Sequence, residues 1–106
     1  MLEKNELKEL GIEGYASIRK DGLLVESILP DYIDKETFSI MCATIYMGSI
    51  SAYNELHLKG PDIVILNGFE RNMVILPKNQ KEIWVIILPV EINVNNAIKN
   101  FLEKMK

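Results

Sequence analysis

Few side chains in this sequence carry catalytic chemistry, and their positions keep them apart. The chain holds one cysteine, Cys42, and one histidine, His57. A nucleophilic thiolate needs its imidazole within hydrogen-bonding reach. Both residues fall on a stretch that reads as one long helix, about 22 Å apart along its axis at ~1.5 Å per residue. Cys42 therefore reads as a small buried core residue, and His57 as a partly exposed side chain favoured by the negative end of the helix. A lone cysteine and a lone histidine also exclude an internal disulfide and a self-contained Cys/His zinc cage.

The carboxylates give no stronger signal. Glu3, Glu6 and Glu9 recur every third residue, which would suit a metal or acid/base pair if buried, but Lys4 and Lys8 interleave them into a solvated helix face. Asp31 and Asp34 read as helix caps. Trp84, inside the apolar run Ile83 to Leu88, reads as core. Phe69-Glu70-Arg71 places an aromatic and an arginine at a loop tip, and both types are enriched at binding hot spots. An arginine finger and a salt-bridged surface arginine both fit Arg71. The phosphate loop, the dinucleotide glycine pattern, His-Glu-x-x-His and Cys-x-x-Cys are all absent. The sequence thus points to no catalytic set, no metal and no cofactor, and to a protein that is not an enzyme.

Composition narrows the class. The 106 residues are 48% hydrophobic and 25% charged, the proportions of a globular domain, and the length suits one domain over residues 1–106. A net charge of −3 supplies no positive field for phosphate binding, so nucleic acid is an unfavourable partner. Cysteine usage suits a reduced, cytoplasmic setting. Met1 to Glu6 carries acidic residues where an export signal would carry basic ones.

The elements that must position these residues follow from period and punctuation. Glu3 to Leu10 predicts a short helix stopped by Gly11. Tyr15 to Lys20 and Leu23 to Leu29 flank Asp21-Gly22, a preferred pair for a type I′ hairpin turn. Pro30 ends the second strand, and Asp34 caps a long helix predicted to run to Leu58, with Gly60 as its left-handed cap and Pro61 beyond. Asp62 to Leu66, Asn72 to Leu76 and Glu82 to Leu88 read as an antiparallel meander. Val94, Ala97, Ile98, Phe101, Leu102 and Met105 recur at helical spacing. The expected class is α+β, order αββαβββα: a five-stranded antiparallel sheet with the long helix on one face and the terminal helices on the other.

Two segments ask for a partner. From Thr37 to Asn54 there is no charged residue. Phe38, Met41, Cys42, Ile45, Ser49, Ala52 and Leu56 form one face suited to packing on a sheet, yet Ile40, Thr44, Tyr46, Met47 and Ile50 spread apolar surface around the rest. The Ser, Thr, Gly and Asn residues break the ~20-residue apolar run that a bilayer requires, so membrane insertion is not expected. Either the domain encloses this helix, or a second protein covers its outer side. Ile63 to Leu66 is apolar on both faces and opens a meander. It is either a buried central strand or an exposed edge, and an uncharged edge invites pairing. Two such edges can pair about a two-fold axis and set the long helices side by side. The expected homodimer contact comprises Ile63, Val64, Ile65, Ile45, Ser49 and Ala52. The expected partner-binding set is Ile40, Thr44, Tyr46, Met47 and Ser51.

Gly11-Ile12-Glu13-Gly14, Asp21-Gly22, Ser27 with Leu29-Pro30, Asp34, Phe38, Met41, Ala43 and Asn54-Glu55-Leu56 stand in this order along the chain. In these residues the chain resembles the roadblock family, the dynein light-chain roadblock type that includes regulators of Ras-like small GTPases. The sequence departs from many relatives at Asn93-Val94-Asn95 and in the bulky Tyr46, Met47 and Tyr53. The resemblance implies sheets joined edge to edge in a homodimer or heterodimer, long helices packed together, and a Ras-like GTPase as partner. It also implies no catalytic residues of the chain's own. An adaptor or light chain that dimerises and scaffolds a larger complex without changing nucleotide turnover is the alternative, and a small-molecule sensor or enzyme on a similar scaffold would need a lined pocket.

Overall fold

The computed structural model describes residues 2–106. The element order is α1 (Lys4–Glu9), β1 (Gly14–Arg19), β2 (Leu24–Ile28), α2 (Lys35–Glu55), β3 (Val64–Asn67), β4 (Arg71–Pro77), β5 (Glu82–Pro89) and α3 (Val94–Met105). The five strands make one antiparallel sheet in the order β2-β1-β5-β4-β3. The expected αββαβββα order and α+β class hold.

Side chains alternate across the sheet as its pleat requires. Tyr15, Val74, Leu76, Ile86 and Leu88 face Leu7 of α1 and Ala97, Ile98 and Phe101 of α3 in one apolar cluster. Ala16, Ile18, Ile75, Ile83 and Val85 face Cys42, Ala43 and Tyr46 of α2 in the other. Phe101 holds the first cluster together: its ring meets Trp84 edge-on at 5.3 Å between centroids and Tyr15 at 6.0 Å. Such tilted aromatic pairs add ~0.5–1.5 kcal/mol beyond burial.

The ends of the elements show which local signals governed. Asp34 caps α2 by accepting the Thr37 N–H at 3.1 Å, and Asn93 caps α3 by accepting the Asn96 N–H at 2.9 Å. The hairpin turn differs from the expected type I′. Gly22 is left-handed (φ 99°), Asp21 is not, and the Gly22 N–H reaches the Arg19 carbonyl at 2.8 Å, giving a three-residue connection. Asp21 prefers this form because its carboxylate accepts the Leu23 N–H at 3.3 Å and pairs with Arg19.

The end of α2 also differs. The helix stops at Glu55, and the left-handed residue that caps it is His57 (φ 59°); Gly60 also has a positive φ (120°) but lies beyond the cap. The Leu58 N–H reaches back to the Tyr53 carbonyl at 3.0 Å and the His57 N–H to Asn54 at 2.9 Å, the paired bonds of a Schellman cap built on a non-glycine residue.

Candidate functional site

Only part of α2 meets the sheet. Its buried residues are Ser39, Cys42, Ala43 and Tyr46, one arc of the helix. Met41, Ile45 and Leu56, expected on the sheet-packing face, are 53%, 38% and 65% exposed. Tyr46, expected to meet a partner, is 3% exposed; it lies in the core cluster that holds Ile18, Ile75 and Val85, and its hydroxyl donates to the Asp62 carbonyl at 3.3 Å. Tyr46 therefore belongs to the core and leaves the partner set. The reason is steric and polar together: a large ring fills the gap between helix and sheet, and its tip finds an acceptor at the start of β3.

The remaining residues sort onto two flanks. At about 100° per residue, Ile40, Thr44, Met47 and Ser51 occupy one narrow arc of α2 while Ile45, Ser49 and Ala52 occupy another, roughly 140° away. The first four line a shallow groove of about 370 Å³ with Ala43 and Gly48, walled by Lys20 and Asp21 of the β1–β2 hairpin tip. Ile40 is 51% exposed and Met47 40%. Two hydroxyls on these flanks are satisfied within the helix, Thr44 on the Ile40 carbonyl at 2.7 Å and Ser49 on the Tyr46 carbonyl at 2.6 Å. Its polar residues thus leave the outer surface able to take an apolar partner.

The two sheet edges are unlike. β2 carries a register shift opposite Ser17 and Ile18 that leaves Val25 unpaired with β1, and Glu26 spends its carboxylate on the Tyr15 hydroxyl at 2.7 Å. A bulge and a charge are the usual protections of an edge. β3, the opposite edge, has neither: it pairs regularly with β4 from Val64↔Ile75 to Asn67↔Asn72, and Ile63 to Asn67 is uncharged. Val64 and Leu66 lie on the α2 face with Met73, all partly open, while Ile63 and Ile65 are 37% and 42% exposed.

No protein-family model matches the sequence, and no curated protein does. Solved structures do match. MglB of Myxococcus xanthus superposes with a TM-score of 0.85 at 11% identity, over 92% of this chain and 80% of that one. A Roadblock/LC7 domain from Streptomyces avermitilis gives 0.74 at 10% identity, over 93% and 94%. An MglB with tetrameric arrangement gives 0.81 at 11% identity, over 92% and 74%. The chain has the roadblock fold.

Within the roadblock fold the other candidate residues have structural roles. Arg71 is bound through Nε to Glu13 and through a guanidinium nitrogen to the Glu70 carbonyl at 2.8 Å, so it is the salt-bridged surface arginine of the two readings. Cys42 is buried, and desolvation pushes its thiol up to about 12, which keeps it protonated and unreactive at neutral pH. Trp84 packs on Phe101 with its indole N–H buried and unpaired. Glu6 faces Lys104 at 2.6 Å, tying α1 to α3, and that hydrogen bond holds its carboxyl below the ordinary value. Glu3 and Glu9 stay on the solvated side of α1. No group of three or more His, Cys, Asp or Glu side chains placed to hold a metal occurs among the described residues, and none of the described helices is long and apolar enough to cross a membrane.

Phe69, which the sequence places with Arg71 at a loop tip, is the member of that pair left free. It stands 104% exposed at the β3–β4 tip.

Proposed function

We propose that residues 1–106 act as one roadblock-type module: a non-catalytic homodimer that binds a Ras-like small GTPase and modulates its nucleotide cycle. The observation that carries this reading is the uncharged α2, which exposes Ile40, Met41, Ile45 and Met47 on a helix already packed against its own sheet. Exposed apolar surface of this kind marks a protein interface. The β3 edge supports self-association by antiparallel pairing about a two-fold axis, with Ile45, Ser49 and Ala52 on the flank that the second α2 meets. That one of the similar structures is an MglB with a tetrameric arrangement supports self-association in proteins of this fold.

The opposite flank, Ile40, Thr44, Met47 and Ser51, then serves the GTPase. Methionine and small residues repack readily against a mobile loop. Arg19 and Arg71 are both held by carboxylates, which favours action by reshaping the GTPase over donation of an arginine. The test is single-turnover GTP hydrolysis and nucleotide exchange of Ras-like GTPases from the same genome, with and without this protein. A change in either rate that Met47→Glu abolishes supports the reading. Binding that leaves both rates unchanged favours the adaptor, and absence of binding refutes the GTPase assignment.

A further inference from the structure

Phe69 has no cover from its own subunit, yet the turn that carries it is rigidly built. The Gly68 N–H donates to Asn72 Oδ1 at 3.1 Å, and a Cβ on Gly68 would stand 2.3 Å from the Arg71 carbonyl oxygen, so only glycine fits there. Arg71 is itself tied to Glu13. A fully exposed aromatic on a fixed turn is presented on a pre-ordered backbone, with little main-chain entropy left to lose on docking.

The connection from α2 into β3 also carries apolar side chains with little cover. Leu56 is 65% exposed, Leu58 53% and Ile63 37%. Within one subunit, strand Val64–Asn67 separates Phe69 from this connection. Antiparallel pairing of β3 with its own copy reverses one strand, so the Phe69 end of each subunit meets the Ile63 end of the other. With the four strand residues paired among themselves, or one step to either side, position 69 falls opposite positions 61 to 63.

We propose that Phe69 is the anchor of the homodimer, docking against Leu56, Leu58 and Ile63 of a second copy of this chain. The inference rests on the two-fold reading given above and specifies the contact that makes it stable. A strand of four residues brings mainly backbone hydrogen bonds, whereas a stable interface buries ~1,200 Å² or more. Each phenylalanine contributes ~150–250 Å², and symmetry supplies it twice.

The test combines Phe69→Cys with Asp62→Cys or with Ile63→Cys under mild oxidation. Inside one subunit the strand holds these positions on the order of 13 Å apart, beyond the ~7 Å that a disulfide spans. Buried Cys42 does not compete. One of the double variants forms a covalent dimer, and Phe69→Cys alone does not. In parallel, Phe69→Ser weakens dimerisation at least tenfold in light scattering while the circular dichroism of the folded subunit stays unchanged, since the residue touches no core. The proposal requires both results. A wild-type dimer that cross-links in neither variant, or that tolerates Phe69→Ser, overturns the anchor and leaves the two-fold reading to the β3 variants. A wild-type chain that stays monomeric at every concentration overturns both.

Discussion

Replacing Ile65 with lysine tests the β3 edge with little damage to the subunit. Ile65 sits in the middle of the edge strand, paired with Val74 and 42% exposed. Full burial of an isoleucine is worth ~1.5–3 kcal/mol, so covering the exposed remainder stabilises by about 0.6–1.3 kcal/mol per subunit. A two-fold axis through the strand doubles this and brings the two new ammonium groups close together, where like charges cost up to ~1 kcal/mol. The sum, about 2–3 kcal/mol, predicts a dissociation constant roughly 30- to 150-fold higher. The lysine stem still covers Val74 within the subunit, so the folded monomer loses at most ~1 kcal/mol. Light scattering over a dilution series gives the constant, and circular dichroism checks the fold. Val25→Lys on the bulged β2 edge is the control and leaves association unchanged. A folded Ile65→Lys protein that associates like the wild type refutes β3 pairing. Val64→Asp is a poorer probe, because Val64 also packs under α2.

Three further outcomes follow from the local geometry. His57→Gly relieves a left-handed non-glycine residue, which costs ~1–2 kcal/mol, and raises the melting temperature by several degrees; a lower value would mean that the imidazole makes a stabilising contact. Tyr46→Ala removes a buried ring and destabilises by ~3–5 kcal/mol, whereas Tyr46→Phe, which loses only the bond to the Asp62 carbonyl, costs ~0.5–1.5 kcal/mol; chemical denaturation separates the two. Glu6 titrates below the ordinary glutamate value of 4.5, chiefly through its hydrogen bond from Lys104, and Lys104 titrates above 10.5 because of Glu6. The Glu6 contribution is therefore present above pH ~4.5 and lost as pH falls through the lowered value, while that of Lys104 is present below its unfolded value and lost only as strong base passes the raised one. Melting temperatures of Glu6→Gln should accordingly depend less on pH in the acid range than those of the wild type.

The parts of the fold legible in the sequence are those where one local signal dominates. α3 carries a strong apolar stripe, and Asp34 and Asn93 cap their helices as their side chains dictate. The meander follows from short apolar runs between turn-forming residues. α2 resisted because its apolar residues are spread around the whole circumference, so periodicity alone cannot orient it. Ala43 and Ser39, small and weakly apolar, turned out to lie against the sheet, while larger Met41 and Ile45 stay outside. The packing face was set by how closely the helix can approach β1 and β2, which favours small residues, and by Tyr46 reaching the start of β3. His57 in place of Gly60 has a similar cause. Composition favours glycine at a left-handed position, but the two backbone bonds to Tyr53 and Asn54 fix where that position falls.

The arrangement of exposed surface is more informative than its amount. Both sheet edges carry exposed apolar side chains, Leu23 and Val25 at one and Ile63 and Ile65 at the other, yet only β2 has a bulge and a committed carboxylate. A chain that had to keep both edges solvent-facing would be expected to protect both. The Ile45, Ser49 and Ala52 flank of α2 lies roughly 140° around the helix from the groove, which leaves it available to a two-fold contact made at β3. The groove of Ile40, Thr44, Met47 and Ser51 faces the β1–β2 hairpin instead. Pairing at β3 leaves that groove open, and a substitution on either flank should disable one function while sparing the other. Ile45→Asp that abolishes dimerisation but preserves GTPase binding by the monomer, set against Met47→Glu with the reverse pattern, would place the two activities on separate faces of one helix. Equal loss of both activities in each variant would mean that the GTPase recognises a surface formed only across the dimer.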